Sequence, residues 1–248
     1  MNGIITGGSR GIGAAIVLEL ADRGHGSLFT YVSRVRRAAA VERAAREMGV
    51  PAAATRCDLT EAADLSALAA TAAEWGRDAF HLLFLNASGG LEKDRLAADP
   101  HYPMAINRDA QLECVDALLP RLTRPATVVY LTSHWAHLHG RIPQLPIYEP
   151  IAASKQAGET ALREHLRAHP EVRLLIVTAD MVEGAVTPLL LERAGRGSTD
   201  RRRRQSGALP SAGDVARAAV AAALDETLPN GHVTVVGAPL ETLLAGER

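Results

Sequence analysis

At 248 residues the chain has the length of one large α/β domain, enough to bury a sizeable core and too little for two ordinary domains with linkers. A formal charge of −1 and a hydrophobic fraction of 47% exclude a disordered chain and give no general nucleic-acid footprint. No apolar run approaches the ~20 residues that span a bilayer, and Cys57 and Cys114 read as reduced buried thiols, so the expected location is the cytoplasm, with neither membrane nor nucleic acid as partner.

The first predicted element is a strand at Gly3-Ile4-Ile5-Thr6, and Ala14–Leu20 follow as a helix that Gly24 ends. Between them lies the turn Gly7-Gly8-Ser9-Arg10-Gly11-Ile12-Gly13. Strand, glycine turn and helix in this order suit a dinucleotide. Gly7 permits the tight turn, Gly11 lets the main chain approach a pyrophosphate, and Gly13 lets the helix pack close to the strand. Amides at the helix start, from Ser9, Arg10 and Ile12 onward, then face the negative charge.

Further strands are predicted at Ser27–Val32, Ala52–Arg56, Leu82–Leu85, Thr127–Leu131, Arg173–Thr178 and Val233–Val236, alternating with helices at Arg34–Met48, Thr60–Trp75, Ala105–Leu122, Pro150–Ala168 and Ala212–Leu224. The strands are continuous apolar runs, as expected when helices cover both faces of a parallel sheet. Right-handed crossovers would make this a doubly wound, Rossmann-type α/β fold in a single domain spanning the chain. The irregular segment from Val182 to Pro210, with the run Arg201-Arg202-Arg203-Arg204, is expected to be a mobile substrate loop with short helices.

At the C-terminal ends of these strands, where open α/β sheets bind ligands, stand Asp58-Leu59, Asn86-Ala87-Ser88-Gly89, Ser133 and Asp180-Met181-Val182, with Asn107 and Lys155 in helices. Together with the glycine turn, this set resembles the short-chain dehydrogenase/reductase family over nearly the whole chain. The resemblance implies an oxidoreductase in which Asp58, beside Leu59, faces the adenine. It has Asn86 brace the sheet and, with Ala87 and Ser88, line the cofactor cleft. Lys155 would bind the nicotinamide ribose, Ser133 the substrate oxygen, and Asn107 a water that relays protons to Lys155. Main-chain groups near Val182 would meet the carboxamide, although Asp180 stands where the family usually has a Pro-Gly turn.

Cofactor choice depends on charge after the second strand, where an acid would favour a ribose 2′-hydroxyl and repel a 2′-phosphate. This chain has Ser33 and Arg34 there, with Arg10 at the same corner, so NADPH (NADP+) is expected.

Catalysis departs from the family pattern. The position four before Lys155, usually tyrosine, is Ile151, and the nearest upstream phenol is Tyr148, seven before the lysine. That Tyr-x6-Lys spacing is similar to the divergent enoyl-acyl-carrier-protein reductases of the same family. Seven helical residues span roughly 10 Å, too far for a shared site, and Pro150 disfavours helix at Glu149, so Tyr148 is expected on the preceding loop, folding back. It either donates the proton or merely packs between Pro146 and Pro150. Tyr31, Tyr102 and Tyr130 are expected away from the required strand ends. A neighbouring Lys155 would lower the phenol's pKa.

His134, His137 and His139 follow Ser133; they are expected to line the substrate pocket or its rim, with one available as proton donor, and a metal role is not expected. The arginine run reads as a solvated face or as an attractor of an acidic carrier protein or a coenzyme phosphate. The retained Ser133 and Asn107 put hydride transfer to a ketone ahead of transfer to an enoyl thioester, which the Tyr-x6-Lys spacing suggests; the alternative of another class, because of Ile151, is an NADP(H) sensor without turnover. The resemblance also implies a homodimer or homotetramer, through helices 105–122 and 150–168.

Overall fold

The protein is described here from a computed structural model, over residues 1–75, 80–144, 146–184 and 197–244. Its strands are β1 (Asn2–Ile5), β2 (Ser27–Tyr31), β3 (Ala52–Arg56), β4 (Phe80–Leu85), β5 (Leu122–Ser133), β6 (Val172–Ala179) and β7 (Val233–Val236). All pair in parallel, in the order β3-β2-β1-β4-β5-β6-β7. The order reverses between β1 and β4, and the carboxyl ends of these two strands flank the crevice where doubly wound sheets bind ligands.

Period-two alternation distributes the strand side chains between two cores. On one face Leu83, Leu85, Val128 and Ile176 pack with α3 (Ala62–Glu74), α6 (Ala110–Leu118) and α8 (Glu149–His165). On the other, Phe29, Phe84, Val129 and Leu175 pack with α1 (Gly11–Asp22), α2 (Val35–Glu47) and α10 (Ala212–Leu224). Phe29, Phe84, Leu82 and Leu83 are fully enclosed, each worth about 1.5–3 kcal/mol against exposure. Cys57 and Cys114 are buried free thiols, and burial pushes Cys57 up to about 12, so it does not ionise near neutral pH.

The remaining helices are short: α4 (Lys93–Ala98), α5 (Tyr102–Met104), α7 (His134–His137), α9 (Ser198–Ser206) and α11 (Glu241–Leu244). The helix expected over 105–122 starts at Tyr102, widens into a π turn over Ala105–Asp109 and ends in a 3-10 turn at Leu119–Arg121, where Pro120 precedes the early start of β5. β5 is longer than its apolar centre, because Ala126–Ser133 all pair with β6. Of the loop expected at 182–210, residues 185–196 lie outside the described residues; the rest includes α9, which carries the arginine run. No helix among the described residues is long and apolar enough to cross a membrane.

Candidate functional site

The turn after β1 is braced from two neighbouring strands. Thr6 Oγ1 accepts the amides of Asn86 and Ala87, both at 2.9 Å, and Asn86 Nδ2 donates to the carbonyls of Thr6 (2.9 Å) and Gly7 (3.2 Å). Gly7 N donates to Thr30 Oγ1 at 2.9 Å from β2. Gly7 has φ 70°, and a Cβ on Gly13 would lie 2.3 Å from the Gly7 carbonyl oxygen, so the helix start rests on the turn itself. Gly11 has φ 57° but faces open space. Gly8, not singled out from the sequence, has no room for a Cβ, which would fall 2.6 Å from Phe29.

α1 starts with neither a side-chain cap nor an acidic residue in its first turn, leaving its positive end to an anion. Ser9 is buried beneath the turn, Arg10 is exposed, and Ile12 is half-buried. Ser33 and Arg34 are exposed at the end of β2, with Arg34 opening α2.

Asp58 sits just beyond β3 with both carboxylate oxygens engaged. Oδ1 accepts Thr60 Oγ1 at 2.8 Å and Thr60 N at 3.2 Å, while Oδ2 pairs with Arg95 from α4, whose guanidinium also lies 5.5 Å from the Tyr102 ring centre. Burial opposes ionisation of Asp58, but the hydrogen bonds from Thr60 and Arg95 outweigh it and hold the carboxyl below its ordinary value. The side chain expected to face an adenine is thus already partnered by Arg95, which the sequence reading did not find. Leu59 beside it is a core residue.

At the other end of the crevice, Ser133 Oγ and Tyr148 OH lie 2.9 Å apart. Tyr148 lies in the turn just before α8, as expected, and is the residue that caps it; the helix nevertheless begins at Glu149. Pro150 is accommodated in the first turn, where no intrahelical donor is needed, and the Tyr148 carbonyl accepts the amides of Ile151 and Ala152 at 3.0 and 2.9 Å. The phenol is buried in a small apolar cluster with Ile151, Ala152, Met181 and Leu209. Burial raises its pKa and the Ser133 hydroxyl opposes that rise; Lys155 does not depress it, contrary to expectation. The Lys155 ammonium lies 3.4 Å from Ser88 Oγ, and desolvation lowers it to about 8.

Asn107 does not point its side chain at Lys155. Its Nδ2 donates to Gly89 O and Ser154 Oγ, both at 3.0 Å, and its Oδ1 accepts Gly89 N at 3.3 Å. Besides the direct bond to Ser154 of α8, Tyr130 joins the two segments at Lys155, its phenol reaching the main-chain oxygens of Asn107 (3.2 Å) and Lys155 (3.0 Å). The π turn fits closely against α8, since a Cβ on Gly158 would lie 2.1 Å from the Asn107 carbonyl oxygen. Tyr130 was expected away from the site because its place mid-strand hides the reach of its ring. Tyr102 was too, yet a Cβ on Gly89 would meet its hydroxyl at 2.8 Å.

The three histidines part company. His137 pairs with buried Glu159 at 2.8 Å, which Arg163 also holds at 3.0 Å, and His139 pairs with Glu149 at 2.7 Å. His134 is wholly enclosed, its Nδ1 4.0 Å from Asp180, and burial lowers its pKa to about 4. The arginine run is not one solvated face: Arg202 is buried on Asp180, Arg203 pairs with Glu183 and Asp200, and Arg201 and Arg204 are exposed. Val182 is a buried core residue just beyond Asp180.

Residues 2–190 match the family described as short chain dehydrogenase. Comparison with curated protein sequences gives no match. Among similar solved structures is a blue fluorescent protein from a metagenomic library, in complex with NADPH, at 22% identity over 99% of this chain and 98% of that one, TM-score 0.81. A short-chain dehydrogenase/reductase from Serratia marcescens BCRC 10948 is 22% identical over 96% of each chain, TM-score 0.79. The promiscuous reductase LugOII, which catalyses keto-reduction at C1 during lugdunomycin biosynthesis, is 22% identical over 96% of this chain and 97% of its own, TM-score 0.77. Identities this low speak to the fold. The family match does more, because it runs unbroken from β1 through β6 and so takes in the glycine turn, Asn86, Ser133 and Lys155: the chain belongs to the short-chain dehydrogenase family of oxidoreductases.

Proposed function

We propose that the protein is an NADPH-dependent reductase that delivers hydride to a ketone carbonyl of a small-molecule or acyl substrate. The observation that carries this reading is the 2.9 Å contact between Ser133 Oγ and Tyr148 OH, which brings the displaced phenol to the end of β5. The crevice fits the cofactor: Gly11 offers open main chain beside an uncapped helix start, and exposed Arg10, Ser33 and Arg34 suit a 2′-phosphate. Asp58, Leu59, Asn86, Ala87, Ser88 and Val182 would border it, and Lys155 would hold the nicotinamide ribose. When bound, the reduced nicotinamide supplies the hydride. Support comes also from similar structures, one holding NADPH and one a keto-reductase.

In this reading Ser133 and Tyr148 turn their hydroxyls toward the substrate oxygen as it gains charge, and such aimed donors are the main catalytic demand. Burial keeps Tyr148 protonated at neutral pH, which suits a proton donor. Asn107, braced on Gly89 and Ser154, would act as a positioning residue and not through its side chain on Lys155. We take the working form to be a homodimer or homotetramer. A carrier protein as partner would find only Arg201, Arg204 and part of Arg203 presented by the basic run.

Single-turnover oxidation of bound NADPH on ketone and enoyl-thioester panels tests the reading. Tyr148→Phe is expected to lose about 10²–10⁴-fold in rate with NADPH affinity unchanged. Survival of turnover would move the proton donor elsewhere. Turnover of enoyl thioesters alone would favour the reaction that the Tyr-x6-Lys spacing suggests, and tight NADPH binding by an inert wild type would favour a sensor.

A further inference from the structure

Asp180 and Arg202 form a buried ion pair that joins the end of β6 to α9. Arg202 Nε donates to Asp180 Oδ1 at 2.8 Å and a terminal nitrogen donates to Oδ2 at 2.7 Å, with only 2% and 1% of the two side chains exposed. The same terminal nitrogen reaches Thr242 Oγ1 at 3.2 Å, which ties in the C-terminal segment. Burying two charges is costly, and hydrophobic side chains of similar size often serve stability as well or better; what a two-point Arg–carboxylate pair adds is a defined geometry.

The parts held in that geometry adjoin the reacting groups. Asp180 Oδ1 also accepts the amide of Met181 at 2.7 Å, fixing the turn from which Met181 enters the apolar cluster around Tyr148. The Arg202 guanidinium lies 5.3 Å from the centre of the Trp135 ring, and Trp135 packs against the same cluster. Leu209, just beyond α9, completes that side. A Cβ on Gly237 would fall 2.7 Å from Asp180 Cβ, so the acid is seated in a close-fitting socket.

We propose that Asp180 and Arg202 are positioning residues of the substrate pocket, which hold Met181 and Trp135 against Tyr148 and so set how bulky a carbonyl substrate the enzyme accepts. The proposal rests on the reading of Ser133 and Tyr148 as the substrate-oxygen site. It also explains the two sequence features that role left over, an acid after β6 and an arginine run: one arginine of the run is the counter-ion of that acid.

The test uses full-length enzyme with Trp75→Phe, which leaves Trp135 as the sole tryptophan and keeps an aromatic ring against Phe80. Into it go Arg202→Lys, which keeps the charge but not the fork, and the double change Asp180→Asn with Arg202→Gln, which leaves no unpaired charge should the first variant fail to fold. The measurements are Trp135 emission and its quenching by acrylamide, NADPH affinity, and KM and kcat on ketones graded in size. Red-shifted, more quenchable emission is expected, with NADPH affinity unchanged and a shift of roughly tenfold in the small-to-bulky ratio of kcat/KM, the scale of a reshaped apolar pocket. Folded variants that lose only thermal stability, with selectivity and emission unchanged, would overturn the proposal. A wild type inert on every ketone overturns the ketone-reductase reading and the carbonyl-size-selecting role with it; the emission change then reports only that the pair holds the wall.

Discussion

The turn between β1 and α1 and the cluster at the ends of β5 and β6 lie on the same edge of one sheet, yet they are held by different means. The turn is held by side chains bonding to main chain, those of Thr6, Thr30 and Asn86 each meeting backbone groups, and Gly8 and Gly13 leave no space for a Cβ. The cluster is held mainly by side chains meeting side chains, Ser133 with Tyr148 and Asp180 with Arg202, while Tyr130 reaches from β5 to the carbonyls of Asn107 and Lys155. A main-chain cradle suits a phosphate-bearing cofactor, whose charge backbone amides can meet. Paired side chains can be exchanged one pair at a time, so a change there can reshape this half of the crevice without touching the turn.

That contrast can be broken first on the cofactor side. Gly13→Ala forces a methyl against the Gly7 carbonyl and is expected to cost about 3 kcal/mol or more through overpacking, whereas Gly11→Ala, strained in φ but facing open space, should cost only about 1–2 kcal/mol. Urea unfolding of the two variants decides it, and equal losses would mean that packing does not govern the turn.

On the substrate side the sharpest probe is pH. His134, lowered to about 4 by burial, stays neutral in the folded protein while the unfolded chain takes up a proton near its ordinary value of 6.5. The unfolded state therefore binds more protons between those values, and stability falls as pH drops through that window by up to about 3 kcal/mol. His134→Phe should flatten this part of the stability profile relative to wild type, and parallel profiles would show that His134 is not the source.

The smallest effect expected is from Tyr130→Phe, which removes one hydroxyl between two helices' carbonyls. A loss of about 1 kcal/mol in unfolding free energy is expected, with a modest fall in NADPH affinity as Lys155 loses its main-chain anchor. Unchanged affinity on titration would confine Tyr130 to a structural part.

Much of the molecule was legible beforehand for reasons that act locally. Apolar runs with strand or helix period placed the seven strands, and the glycines marked where a turn needs positive φ or close approach. Tyr148 was harder: Pro150 argued against helix at Glu149, but the helix starts there because a proline in the first turn forgoes no hydrogen bond. The arginine run was misread in part because composition cannot tell which of four adjacent side chains turns inward on an α9 that meets Asp180.

The sequence by itself determined the α/β class, the site of the glycine turn and the order of polar residues at the strand ends, since each follows from backbone requirements felt within a few residues. Only the tertiary structure decided which partners those polar residues take. Asp58 turned to Arg95, Asn107 to Gly89 and Ser154, and Asp180 to Arg202, because a buried polar group is stable only when paired and the packing of distant elements settles which donor is near enough.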